Sequence, residues 1–349
     1  MPSPRRLGTS RRESCGPCSR AARRAEAEQH PRRDVDEDIR EPPGYRGTLA
    51  AGIVPTPQHR ITEQVVSSFS DAPPRLREVM SALVEHLHRF VVDVRLTPGE
   101  WREAIALLTA TGDITTEERQ EFILWSDALG VSMLVDALEH ELPQSATEST
   151  VLGPFFVPGS PVREYGANIA SQPAGEPTWV SGRVLTTDGD PIAGAELDVW
   201  QNGANELYAV QDPGAPEDHL RARFTTRGDG TYGFIGVRPV PYRIPSDGPV
   251  GRMLHATGRH PWRPAHIHLI VRAPGYRTLT THIFDSTSDH LDSDAVFAVK
   301  PSLLREFVRR SPDDPEAPPG IAGDWYSVEN DLVLVAGAAE EPVDDGRTA

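Results

Sequence analysis

The chain has 349 residues, of which 38 % are apolar and 25 % charged, a composition that suits a water-soluble globular protein of one large or two ordinary domains. The net charge of -16 argues against nucleic acid or an anionic membrane as a partner. Apolar runs such as Ile105-Ala106-Leu107-Leu108 fall far short of the ~20 residues of a transmembrane helix, so no membrane span is expected.

Residues 1 to 60 hold twelve Arg against eight Asp and Glu and carry no apolar periodic stripe. Residues 1–58 are therefore expected to be a disordered Arg-rich leader. The leader has no apolar signal region, and the acidic run Asp34-Val35-Asp36-Glu37-Asp38 disfavours a transit peptide. Both cysteines sit inside it as Cys15-Gly16-Pro17-Cys18. That is a redox spacing, but it lacks the flanking strand and helix that would lower a thiol pKa. Residues 19 to 349 contain no cysteine, which excludes cysteine nucleophiles, cysteine-ligated zinc and iron-sulfur clusters there and suits a cytoplasmic protein.

From residue 59 to 145 the pattern is helical. Leu76, Val79, Met80, Leu83, Val84, Leu87, Phe90 and Val91 recur at three and four and predict one apolar helix face. Thr97-Pro98-Gly99-Glu100 and Thr115-Thr116-Glu117-Glu118 each offer a Thr three residues before a Glu, the capping-box spacing, and Gly112 and Gly130 read as helix stops. Four or five short helices are expected. They are too few for a core of their own, so they should pack on the rest of the chain or on a second subunit.

Between 146 and 336 Gly, Pro and Asp recur every eight to twelve residues, with β-branched and aromatic runs between them, the pattern of a sandwich or barrel. Expected strands are Trp179 to Leu185, Ala195 to Trp200, Arg223 to Thr226, Thr231 to Ile235, Ala265 to Arg272, Thr278 to Phe284 and Leu332 to Val335. Gly228-Asp229-Gly230 predicts a hairpin. The acidic, small-residue tail 337–349 is expected to be disordered. The fold class is thus α+β, an antiparallel β-sandwich preceded by a helical segment.

Within a strand over Arg263 to Arg272, His266 and His268 point to the same face, and Tyr208 and Tyr242 lie in nearby loop-rich strings. Two imidazoles and two phenols suit Fe(III), a hard cation that can hold a phenolate ionised well below its free pKa of ~10. A His-x-His pair also fits two ordinary half-buried histidines or Zn(II), and each tyrosine alone fits a core aromatic.

Four strings decide between these readings: Thr150-Val151-Leu152-Gly153-Pro154-Phe155-Phe156, Leu197-Asp198-Val199-Trp200-Gln201, Asp247-Gly248-Pro249-Val250 and Arg263-Pro264-Ala265-His266-Ile267-His268. Through them the chain, from about Ile61 to Phe307, resembles the intradiol ring-cleavage dioxygenases. The resemblance implies one non-haem Fe(III) per subunit held by Tyr208, Tyr242, His266 and His268, with Arg263 beside the substrate. It implies that Tyr242 departs as a base when an aromatic diol or triol binds, and that both atoms of O2 end in the ring-opened diacid. It also implies a substrate site lined by Leu124, Asp127, Val151, Gly153, Ile244, Pro245 and Val296, and a homodimer made through the helices, with a lipid held there.

Leu207 to Pro213, Pro239 to Pro245, Gly258 to Trp262 and Thr280-Thr281-His282 resemble the branch of that family that opens benzene-1,2,4-triol to 3-hydroxy-cis,cis-muconate. Catechol and chlorocatechol are the alternative substrates. Asp127 would accept a hydrogen bond from a third hydroxyl, or else be a solvated helix charge. The competing reading of another class is a non-catalytic sandwich module, since Gly182-Arg183-Val184 and Gly189 to Ala195 also resemble transthyretin-like domains.

Overall fold

A computed structural model describes residues 57–116, 119–139, 143, 145–173 and 175–338. The leader up to residue 56, with Cys15 and Cys18, and the tail from residue 339 lie outside them. The chain divides into two units at Val94 and Arg95.

The described part of the first unit is a helical pair, α1 (Pro57–Ser67) and α2 (Pro74–Asp93). Thr62 on α1 is hydrogen-bonded to His88 on α2 at 2.9 Å. The predicted apolar stripe of α2 is present, yet the helix buries none of its residues, and Leu76, Leu83, Leu87 and Phe90 each remain about half exposed.

The second unit opens with α3 (Pro98–Ile114), α4 (Glu121–Ala128) and α5 (Val131–Glu139). Thr97 and Glu100 form the expected reciprocal cap on α3, each accepting from the other's backbone N–H, with Pro98 in the first turn. Gly112 does not stop this helix, which runs two residues further. Thr111 is fully buried and accepts a hydrogen bond from Trp125 Nε1 at 2.9 Å, which anchors the last turn in helical form. Gly130 does separate α4 from α5, at φ +74°. Of the second capping-box string, Glu117 and Glu118 lie outside the described residues; Thr115 closes α3, and α4 begins at Glu121 without a side-chain cap.

Every expected strand is present: β1 (Pro177–Thr186), β2 (Glu196–Gln201), β3 (Arg221–Thr225), β4 (Thr231–Val237), then β7 (His266–Arg272), β8 (Leu279–Asp285) and β12 (Leu332–Leu334). Between and beyond them lie β5 (Tyr242–Arg243), α6 (Pro249–Ala256), β6 (Trp262–Arg263), β9 (Leu304–Arg305), β10 (Val308–Arg310) and β11 (Trp325–Glu329). One sheet runs β10-β11-β1-β12 with β4 on the other side of β1; the facing sheet runs β3-β2-β7-β8-β9, and β5 pairs with β6 alone. The sandwich is mixed rather than antiparallel. Strand β1 pairs in parallel with β11 and β12, and β8 pairs in parallel with β9.

The predicted hairpin at Gly228-Asp229-Gly230 is instead an arch between the two sheets. Before the turn, Thr226 N–H donates to Ala195 and keeps the chain beside β2; after it, Val184 N–H donates to Gly230 and draws the chain to β1. Asp229 caps the turn from within by accepting from Thr231 N–H and Oγ1–H at 3.1 and 2.6 Å. The turn chemistry is therefore that of a hairpin, while the flanking strands bury themselves in different sheets.

Between the sheets lies an apolar core that includes Val180, Val184, Leu197, Val199, Phe224, Phe234, Ile267, Leu269, Val271 and Ile283. The second sheet is also covered on its outer face, by a cluster that joins Trp200, Ile270 and Phe284 to Leu124 of α4 and Val250 of α6. Among the described residues no helix is long and apolar enough to cross a membrane.

Gly182 of β1 lies so close to the backbone of Asn330 that an added Cβ would collide with that carbonyl. Gly182→Ala should destabilise the protein by about 1–3 kcal/mol, as overpacking of a core does, read as a lower urea midpoint at unchanged slope.

Candidate metal centre and substrate cleft

Alternation along β7 sends Ile267, Leu269 and Val271 to the inter-sheet core and His266 and His268 to the outer face, where each is 1 % exposed. Register places Trp200 of β2 on one side of His268 and His282 of β8 on the other. The indole lies flat on the His268 ring, with centroids 4.7 Å apart and planes 13° from parallel.

The Nε2 atoms of His266 and His268 approach each other to 3.1 Å, and Tyr208 Oη lies 3.4 and 3.1 Å from them. His266 Nδ1 lies 2.7 Å from the Pro264 carbonyl; as donor there, it leaves the Nε2 lone pair facing the cluster. Tyr242 comes from β5, whose pairing with β6 sets it opposite Arg263, and Arg263 Nη1 donates to its hydroxyl at 3.3 Å. The two phenol rings meet edge to face at 5.3 Å. All four predicted donor side chains and Arg263 are thus brought together and buried.

Burial, and for both His266 and His268 the nearby Arg263 charge, hold the imidazoles well below their usual pKa. They are neutral, the form a metal requires. Burial likewise pushes the Tyr208 phenol up, with neighbouring Tyr242 adding to the shift and Arg263 opposing it. The protein alone therefore disfavours a phenolate here, and a cation among these four groups would reverse that preference. His268 Nδ1 and His282 Nε2 are buried without a hydrogen-bond partner among the described residues, and ring nitrogens of His266, His268 and His282 all lie within 4.8 Å of one another. Neutral imidazoles, phenols and unsatisfied ring nitrogens in one enclosed cluster fit a hard or borderline metal ion.

Beside the donors is a narrow cleft lined by Leu124, Asp127, Val151, Gly153, Ile244 and Val296 together with Pro154, Phe155, Tyr242 and Arg263. Apolar walls with a few convergent polar groups are the lining of a small-molecule site. Pro245, also expected in this lining, follows Ile244 but is not part of the wall. Asp127, on α4, is 5 % exposed and so is not a solvated helix charge. Burial raises its pKa, a hydrogen bond from Ser132 and the charge of Arg263 oppose that rise, and Asp294 adds to it. A separate, wider cleft of about 430 Å³ is lined by Arg259, His260, Leu291, Asp294 and Phe297.

Several contributors were not singled out in the sequence. Asp294 binds Arg263 through both carboxylate oxygens, at 3.1 and 3.4 Å, and also accepts from the N–H groups of Val296 and Ala298. It sits 31 residues from its partner in a loop without regular structure, where no spacing rule reaches it. Phe155 stacks on Tyr208 at 4.6 Å, and Thr150 is hydrogen-bonded to His282. Both belong to the string Thr150 to Phe156, whose pattern marked the family without showing which side chains it brings to the donors.

A β-sandwich that gathers two imidazoles, two phenols and a buried guanidinium beside a narrow cleft has the donor set of a metal centre. Residues 151–326 match the family described as "Dioxygenase", and residues 73–147 match "Catechol dioxygenase N terminus". The chain is 49 % identical over 280 residues to a hydroxyquinol 1,2-dioxygenase of Rhizobium sp. (strain MTP-10005), covering 79 % of this chain and 95 % of that one. The crystal structure of hydroxyquinol 1,2-dioxygenase from Pseudomonas putida DLL-E4 superposes with a TM-score of 0.76 at 48 % identity, covering 80 % of this chain and 99 % of that one. Catechol 1,2-dioxygenase from Pseudomonas arvilla C-1 superposes at 0.70 with 26 % identity, covering 84 % and 96 %. The chain belongs to the intradiol ring-cleavage dioxygenase family, an iron-dependent family, and is an intradiol dioxygenase.

Two outcomes test the electrostatics of this site. Asp294→Ala strands the Arg263 guanidinium in the interior and should cost about 3–5 kcal/mol of stability, measured by denaturant unfolding. The raised folded pKa of Asp127 means that its ionisation costs more in the folded than in the unfolded chain. Stability is therefore full below the ordinary carboxylate range and is lost as pH rises through the folded value. Asp127→Asn removes that loss, so its melting temperature should exceed wild type at neutral pH, with the gap closing as the pH falls below about 4.

Proposed function

We propose that this enzyme opens hydroxyquinol, benzene-1,2,4-triol, between its two adjacent hydroxylated carbons to give 3-hydroxy-cis,cis-muconate, the enol form of maleylacetate. The observation that carries this reading is Asp127, a buried carboxylate in the wall of a narrow cleft that Tyr242 and Arg263 also line. A carboxylate there meets an unfilled partner when plain catechol binds and a hydroxyl donor when a triol binds. The relatives named for hydroxyquinol, at 48–49 % identity against 26 % for the catechol enzyme, support the same choice.

In this reading Tyr208, Tyr242, His266 and His268 hold one non-haem Fe(III) per subunit. Bound there, the iron supplies a Lewis acid for the two adjacent substrate oxygens and the electronic coupling through which the ring reacts with dioxygen. Tyr242, ionised when it holds the metal, would take up a proton from a substrate hydroxyl at its phenolate oxygen as the ring enters and so become a neutral phenol beside Arg263 Nη1. Arg263, locked by Asp294, keeps a fixed positive charge beside Tyr242 and the ring, available without reorganisation when electron density builds up there. Leu124, Val151, Gly153, Ile244 and Val296, with Pro245 behind them, hold the ring in plane and exclude water.

The wider organisation is read in the same way: a leader over 1–58, a helical segment over 59–145, the catalytic sandwich over 146–336 and a tail over 337–349. The half-exposed apolar stripe of α2 supports a homodimer formed through the helical segment, with a lipid held between the copies. The absence of cysteine from residues 19 to 349 supports a cytoplasmic location.

Oxygen uptake by iron-loaded protein, with product checked and autoxidation subtracted, tests the reading. Turnover of the triol should exceed that of catechol by at least about tenfold, and Asp127→Ala should narrow the ratio by raising KM for the triol. The opposite ranking would place the chain with the catechol enzymes, and no uptake with either substrate would favour a non-catalytic sandwich.

A further inference from the structure

Strand β8 brings a third imidazole to the centre that the proposed ligand set does not use. His282 is 1 % exposed and is the register partner of His268. Its ring centroid lies 4.1 Å from that of His268 and 4.7 Å from that of His266. Nδ1 is hydrogen-bonded to Thr150 Oγ1. Nε2 is buried and has no partner among the described residues. A ring nitrogen orphaned in an apolar interior is costly unless a group outside the protein satisfies it.

Thr150 stands at the head of the segment that walls the cleft. Its backbone N–H donates to the Thr280 carbonyl of β8 at 2.9 Å, and its side chain is turned to His282. Three residues on, Gly153 adopts φ +79°, and a Cβ there would stand 3.1 Å from Cε1 of His268. Only a residue without a side chain lets this backbone lie against the imidazole so closely. Phe155 then stacks on Tyr208. The segment is thus tied to the donor cluster at three points, and one of them runs through His282.

We propose that His282 is a positioning residue that holds the cleft wall and the His268 ring in one arrangement through Thr150, and whose Nε2 hydrogen-bonds an oxygen atom, of solvent or of substrate, in the space shared with His266 and His268. This rests on the reading of the site as an iron centre. The His282 ring stands at 86° to that of His266 and 54° to that of His268, stacked on neither, and ring nitrogens of the three lie within 4.8 Å of one another. A hydrogen-bonding nitrogen there tunes the electron density of an oxygen ligand without adding charge.

The test uses the full chain loaded with iron, as wild type and as His282→Gln, His282→Leu and Thr150→Val. Wild-type iron content and the visible phenolate-to-iron absorbance come first; a colourless, iron-free wild type would overturn the reading of the site and this proposal with it. With a coloured wild type, all three variants should retain iron. His282→Leu and Thr150→Val should shift the visible band and lower kcat by about tenfold or more, whereas His282→Gln, which keeps a hydrogen-bonding end, should stay within about threefold of wild type. A band shift in the resting protein assigns the oxygen to solvent, and one seen only in the anaerobic complex with 4-nitrocatechol assigns it to substrate. Loss of iron from His282→Gln would make His282 a ligand and overturn the proposal. So would an iron-replete His282→Leu with unchanged band and kcat. If His282→Leu does not fold, Thr150→Val carries the same test without touching the imidazole.

Discussion

Strand β7 is buried on both faces, and the chemistry of the site depends on that double burial. Ile267, Leu269 and Val271 are held in the inter-sheet core, so the register of β7 against β2 and β8 cannot slip by one residue without turning both imidazoles into apolar packing. The same constraint delivers His266 and His268 to a space roofed by helices and loops, where water does not compete for them. Trp200 and His282 arrive by register on the neighbouring strands, and so the orientation of the His268 ring follows from sheet pairing rather than from any loop.

What that burial costs is legible in the ionisable groups. Beside the donors stand a buried cation, Arg263, and a carboxylate bound to it through both oxygens, Asp294. Beyond that pair the environment keeps the imidazoles neutral and the Tyr208 phenol protonated. Such a cluster has donors but little internal reason to hold them together, since three neutral imidazoles and two phenols leave His268 Nδ1 and His282 Nε2 without a hydrogen-bond partner among the described residues. A metal ion resolves both problems, by giving the lone pairs a common partner and by making ionised phenolate the favoured form. Arg263 bridges the two halves of the arrangement: its charge is compensated on the Asp294 side, while Nη1 points at Tyr242.

The sequence carried much of this because its signals were local. Period-two alternation identified β7 and the shared face of His266 and His268, and the Thr97 and Glu100 spacing located the start of α3. The misreadings arose where a local signal was overridden by distant packing. Gly228-Asp229-Gly230 has hairpin chemistry, but Thr226 bonds to Ala195 beside β2 and Gly230 to Val184 of β1, in different sheets; Gly112 looks like a stop, but buried Thr111 holds the helix beyond it. The parallel strand β11 and the loop carboxylate Asp294 lack any pattern in their own neighbourhood, because a strand's direction and an ion pair across 31 residues are properties of the assembled sandwich.

Substrate choice, in the proposed reading, follows from how little room the cleft has for water. Four of its walls, Leu124, Val151, Ile244 and Val296, are apolar, and Asp127 is the polar group on the α4 side. In an open site a carboxylate would simply be hydrated and would discriminate weakly between ligands with and without a third hydroxyl. In a narrow, mostly apolar cleft the acceptor capacity that Ser132 leaves open on Asp127 is either met by a donor on the ligand or left unfilled. Desolvation already raises its pKa in the free protein, which measures the same deficit from the other side. A triol brings the missing hydrogen bond with it, and selectivity then originates less in added affinity for the correct ring than in the unsatisfied carboxylate that the wrong ring leaves behind.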